Sequence, residues 1–100
     1  MYEIEWSQEA QTDLRRVPAF LRAALRAEAQ RLRYQALFET RNRKPLKLPI
    51  LELPDAQWQS RVGDYRILYC VVAMRTVLIL RVIMKGTETT IDALKRSNER

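Results

Sequence analysis

The hundred-residue sequence contains no histidine and a single cysteine, Cys70. Without imidazole the chain lacks the usual general base near neutral pH and the commonest metal ligand, and one thiol can form neither a thiolate cluster nor an internal disulfide. A zinc centre and a Ser-His-Asp mechanism are therefore set aside, and no cofactor is expected. Long apolar runs are missing too. The longest stretch, Ile67 to Leu80, is broken by Arg75 and is too short to span a bilayer as a helix. The amino terminus shows no apolar run of the signal-peptide kind, which with the lone cysteine gives a cytoplasmic reading.

Negative charge is in deficit, with 12 Asp and Glu against 18 Lys and Arg, a balance of +6. Such an excess favours a polyanionic partner, and on charge alone nucleic acid, an acidic protein and an anionic membrane all stay open. Apolar residues make up 47% of the chain, enough for one small domain over residues 1–100 with a modest core.

Tyr2, Ile4 and Trp6 alternate with Glu3 and Glu5, which predicts a half-buried first strand. Ser7 then caps a helix over 7–17 that carries Ala10, Leu14 and Val17 on one face. Pro18 ends it and suits the first turn of a second helix over 18–38, striped by Leu21, Ala24, Leu25, Leu32 and Ala36. Residues 40–56 read as irregular, because Pro45, Pro49 and Pro54 cannot sit inside a regular ladder. This segment opens with Arg41, Asn42, Arg43, Lys44 and Lys47, placed to reach phosphates. Its Leu46, Leu48, Ile50, Leu51 and Leu53 are too many for a free loop, so they cover one end of the core or are covered by a partner.

Residues 57–69 organise the rest. Two runs rich in β-branched and aromatic residues flank Gly63-Asp64, the signature of a two-residue hairpin closed by Val62 and Tyr65. Alternation then puts Trp58, Val62, Tyr65, Ile67 and Tyr69 on a core face. Gln57, Gln59, Arg61, Arg66, Leu68 and Cys70 fall on the other, with Arg61 directly opposite Arg66. Facing like charges cost up to roughly 1 kcal/mol. A hairpin that carries this cost implies an anion between them.

A further strand over 76–85, closed on the previous one by Ala73 and Thr76, sets Leu68 opposite Arg81 and Arg66 opposite Ile83. Leu78, Leu80, Val82 and Met84 join the core face, while Arg81 and Lys85 join the open one. Residues 87–98 form a short last helix, with Thr87 or Thr90 as its cap. The expected architecture is α+β, ordered β-α-α-β-β-β with that C-terminal helix, two N-terminal helices covering one face of a small antiparallel sheet. Arg66, Arg61, Arg81 and Lys85 are the candidate catalytic residues of the open face. Several arginine forks together can stabilise a pentacoordinate phosphorane, and a histidine-free ribonuclease can use the 2′-hydroxyl of RNA as its nucleophile.

The order of elements and the string Arg61-Val62-Gly63-Asp64-Tyr65-Arg66-Ile67-Leu68-Tyr69 resemble the RelE/ParE toxin superfamily of toxin-antitoxin modules. Arg43-Lys44-Pro45-Leu46 and Lys85-Gly86 add to the likeness. The resemblance implies a RelE-like fold, a cognate antitoxin partner, and a ribosome-dependent mRNA endonuclease working without metal, membrane or small-molecule cofactor. Arg66 matches the active-site arginine of the Gly-x-Tyr-Arg segment and Arg61 a basic position before it. Arg41, Arg43, Lys44 and Lys47, with Gln57 and Gln59, are the implied nucleic-acid contacts. Gln57 and Gln59 stand where RelE enzymes carry lysines, and Gly86 where they carry an arginine. A ParE-like inhibitor of DNA gyrase and a catalytically weakened RNA-binding member are the alternatives.

Overall fold

Ser7 accepts the Ala10 backbone N–H at 3.0 Å, and that cap marks the passage from strand β1 (Glu3–Trp6) to helix α1 (Gln8–Arg16). Glu9 in the first turn and Arg15 and Arg16 in the last complement the helix dipole. Pro18, which has no N–H to leave unpaired, precedes helix α2 (Ala19–Gln35). Strands β2 (Arg43–Pro45), β3 (Trp58–Val62), β4 (Tyr65–Val72) and β5 (Thr76–Met84) follow, then helix α3 (Thr90–Asn98). The computed structural model describes residues 1–73, 75–85 and 89–98. Among them no helix is long and apolar enough to cross a membrane.

The α+β class and the order of elements agree with the sequence reading, with two additions. The sheet runs β1-β5-β4-β3-β2, and β1 joins β5 in parallel, so an otherwise antiparallel sheet is mixed. The segment expected to be irregular contributes β2, a three-residue edge strand whose last residue is Pro45. An edge position tolerates proline because no ladder bond is lost there.

Helices α1 and α2 cover one face through Ala10, Leu14, Val17, Leu25, Ala29 and Leu32, packed on Ile67, Tyr69, Val77 and Ile79. Tyr69 is wholly buried, stacks on Trp58 with ring centroids 6.3 Å apart, and donates its hydroxyl to Ala36 O at 2.6 Å. The opposite face is only partly open. Ala93 and Leu94 of α3, with Ile50 and Ala56, bury Leu68 and Ile83 there, and Cys70 is buried as well. The apolar loop thus divides: Ile50 is buried and Leu46 and Leu53 pack on this second cluster, whereas Leu48 and Leu51 are 78% and 89% exposed.

One bulge corrects the expected register. Leu68 faces Arg81 and Arg66 faces Ile83 as read from the sequence, but Tyr69 faces Ile79 and Thr76 faces Val72. The extra residue is Leu80. It moves Val77 and Ile79, rather than Leu78 and Leu80, onto the helical face. Of the two residues proposed to cap the last helix, Thr87 lies outside the described residues, and Thr89 rather than Thr90 accepts the Asp92 N–H, at 3.1 Å.

Candidate functional site

Val62 and Tyr65 close the β3–β4 hairpin, and Gly63 has φ 59°, a left-handed conformation that glycine adopts without strain. The turn brings Arg61 and Arg66 face to face, the pairing expected from alternation. Both guanidinium groups lean on turn carbonyls. Arg61 Nε donates to Gly63 O at 3.4 Å, and Arg66 Nη1 donates to Gly63 O at 3.3 Å and Tyr65 O at 3.1 Å. Beyond the end of β5, the Lys85 backbone N–H donates to Asp64 O at 2.7 Å, which brings Lys85 beside the same turn.

On the other side, Lys44 of β2 pairs with Gln59, and Asn42 O accepts the Arg61 backbone N–H at 2.7 Å. Thr90, at the start of α3, donates its hydroxyl to Gln59 Oε1 at 3.2 Å. Together these enclose a recess of about 200 Å³ with Arg41, Lys44, Arg61, Arg66 and Lys85 in its wall, alongside the neutral Asn42, Gln59 and Thr90. Among the described residues no carboxylate lines it. Burial, then the adjacent Arg61 charge, push the Arg66 guanidinium below its ordinary value, with Asp64 partly offsetting them. Arginine stays protonated regardless. The five cations of the wall, rather than that shift, make the hollow electropositive.

Six expected residues thus meet: Arg41, Lys44, Gln59, Arg61, Arg66 and Lys85. Four do not. Arg81 is not in the recess: it is 9% exposed, its Nε and Nη2 donate to Asp13 Oδ2 and Oδ1 at 2.7 and 3.2 Å, and its Nη1 donates to Asn98 Oδ1 of α3 at 2.5 Å. The reason is edge geometry. Strand β1 pairs only as far as Trp6 with Ile79, so β5 has a free edge beyond, where Ser7 and Asp13 bind Leu80 O and the Val82 N–H. Arg81 turns to that acid on α1. Arg43, expected to touch nucleic acid, is 4% exposed and donates Nη2 to Glu28 Oε2 at 2.7 Å. Gln57 is exposed with its Oε1 held by the Val71 N–H at 3.1 Å, and Lys47 is exposed outside the recess. Thr90 was expected as a helix cap and not as a contact, whereas Asn42 belongs to the basic run Arg41 to Lys44 already read as placed to reach phosphates.

Glu28 is the acid the sequence reading missed. Burial pushes its carboxyl up, but hydrogen bonds from Ser60, Arg43 and Arg31 outweigh it, so the group stays below its ordinary range. A carboxyl held lower in the folded than in the unfolded state contributes stability that is present above the unfolded value and lost as pH falls through the folded one. The urea midpoint should accordingly be flat near neutrality and decline once the pH drops below the unfolded glutamate value of about 4.3. Glu28→Gln should remove part of that acid limb; an unchanged limb would mean that Glu28 is not its source. Among the described residues no group of three or more cysteines and carboxylates is placed to hold a metal ion.

The fold defines a small α+β protein with a recess walled by arginine and lysine side chains. The family model of the ParE toxin of type II toxin-antitoxin systems, parDE, matches residues 4–87, and the chain belongs to that family, within the RelE/ParE toxins. It is a toxin of the type II toxin-antitoxin class. The toxin-antitoxin complex RelBE2 from Mycobacterium tuberculosis contains a chain 32% identical over 84% of this one and 98% of its own, with a TM-score of 0.67. The archaeal RelE-RelB complex from Pyrococcus horikoshii is similar in fold, at 19% identity and TM-score 0.68 over 87% of this chain and 98% of that one. The isolated E. coli RelE toxin covers both chains fully at 16% identity and TM-score 0.64. A search of curated proteins found no match.

Proposed function

We propose that the toxin is a metal-independent endoribonuclease that cuts mRNA on the ribosome and so arrests translation in the cytoplasm. The observation that carries this reading is the recess in which Arg61 and Arg66 face each other among three further cations, with no carboxylate beside them among the described residues. In such a reaction the ribose 2′-oxygen attacks phosphorus, the P–O5′ bond breaks, and a 2′,3′-cyclic phosphate remains. Charge builds on the non-bridging oxygens, where two arginine forks bind best. Among the described residues the recess offers neither imidazole nor carboxylate, so water takes the 2′ proton and protonates the leaving 5′-oxygen, and the recess contributes positioning and charge stabilisation. Arg41 and Lys44 extend the positive wall toward flanking phosphates, and Lys47 lies outside it for ribosomal RNA.

A cognate antitoxin is the expected protein partner, by analogy with the complexes to which the chain is similar. The exposed Leu48 and Leu51 are surfaces it would cover. Leu53, packed in the second cluster, is not.

A second reading, inhibition of DNA gyrase, is favoured by the ParE family match and by Gln57 and Gln59 in place of lysines. One paired experiment separates them. Induced expression followed by mapping of mRNA 5′ ends should reveal new ends inside codons, and purified toxin should leave gyrase supercoiling unaffected. Trapped gyrase-DNA complexes without new mRNA ends would reverse the assignment.

A further inference from the structure

The five cations of the recess repel one another, and they are not equally well held. Arg61 and Arg66 lie on β3 and β4, each of which is paired on both sides. Lys85 is pinned through its backbone to Asp64. Arg41 and Lys44 instead sit on a loop and on the three-residue edge strand β2, which has a single neighbour. Left to electrostatics, this segment would swing away from the other three charges.

Alternation supplies what resists. Lys44, opposite Gln59, points to the recess, so Arg43, opposite Ser60, passes to the helical side. There its Nε and Nη2 donate to Glu28 Oε2 at 3.2 and 2.7 Å, and its Nη1 to Gln35 Oε1 at 3.0 Å. Glu28 also accepts the Ser60 hydroxyl, so one carboxylate ties β2 and β3 to α2. Two guanidinium N–H groups converging on one carboxylate oxygen fix orientation as well as distance.

We propose that Glu28 is a positioning residue of the RNA site: through Arg43 it holds Arg41 and Lys44 against the recess, although its carboxylate lies on the far side of the sheet. The inference rests on the RNA reading above. It assigns to the buried pair a share of the phosphate contacts that neither of its members makes.

The test is the salt dependence of binding, by fluorescence anisotropy, of a short labelled oligouridylate. Each phosphate neutralised on a single strand adds about 0.7 to the slope of log K against log salt, so five cations give up to about 3.5. Glu28→Gln removes no charge from the recess, yet should flatten the slope by about 1.4, the loss of two contacts. In that background Arg41→Ala with Lys44→Ala should flatten it no further. A purely structural role would lower the folded fraction and leave the slope of the folded protein unchanged.

Arg43→Lys, which keeps a paired charge but loses the fork, decides the matter should Glu28→Gln not stay folded. It should also flatten the slope, by less. Wild-type slopes in both variants would overturn the inference alone, whereas a flat response of the unaltered protein would overturn the RNA reading and this inference with it.

Discussion

Arg66→Ala should slow RNA cleavage by about 10²–10³-fold, the usual consequence of removing one preorganised donor from a developing oxyanion. It should do so without loss of stability. Among the described residues Arg66 makes no ion pair; its fork touches the carbonyls of Gly63 and Tyr65, and it faces a like charge. Removing either member of a facing like-charge pair relieves a cost of up to roughly 1 kcal/mol. Arg66→Ala and Arg61→Ala should therefore both melt at or slightly above the wild-type temperature while both lose activity. Single-turnover cleavage on ribosomes together with thermal melts measures this. Arg66→Lys separates charge from geometry, since lysine keeps the charge but cannot bridge two phosphoryl oxygens. Cleavage by Arg66→Ala at the wild-type rate would remove the residue from the chemistry.

The hairpin was legible because its information is local. A Gly-X pair and two alternating runs fix Val62 against Tyr65, and so Arg61 against Arg66, with no knowledge of the rest of the chain. The register onward to Arg81 was also readable, but the bulge at Leu80 was not, since an apolar residue satisfies either face of that strand. The two arginines that do not reach the recess are held by partners distant in sequence, Asp13 for Arg81 and Glu28 for Arg43. Yet both acids did leave a mark. Asp13 lies between Ala10, Leu14 and Val17, and Glu28 between Leu25, Ala29 and Leu32, so each falls on an apolar helical stripe. An unpaired carboxylate buried there would be prohibitively unstable, which requires a buried cation from elsewhere in the chain. Composition cannot say which arginine answers; sheet order and strand ends decide it.

Asp13→Ala should lower stability by about 3–5 kcal/mol, the usual cost of leaving one member of a buried ion pair alone. Arg81 would keep its buried guanidinium without the Asp13 carboxylate, and the Val82 N–H would lose its acceptor. For a domain of this size each kcal/mol shifts the melting temperature by about 4 °C or more, so a fall of at least about 12 °C is expected. In a small domain stable by about 5–15 kcal/mol, that is a large fraction of the total. The double substitution Asp13→Leu with Arg81→Met distinguishes the ion pair from the space it fills. Replacing a buried pair by apolar groups of similar volume is often neutral or stabilising, so most of the lost melting temperature should return. The same double variant should retain RNA cleavage near the wild-type rate, because Arg81 points to Asp13 and not to the recess of Arg61 and Arg66. Recovered stability with cleavage abolished would place Arg81 back among the groups that meet the phosphate. A fall of only a degree or two for Asp13→Ala would mean that water, rather than the carboxylate, already satisfies the arginine.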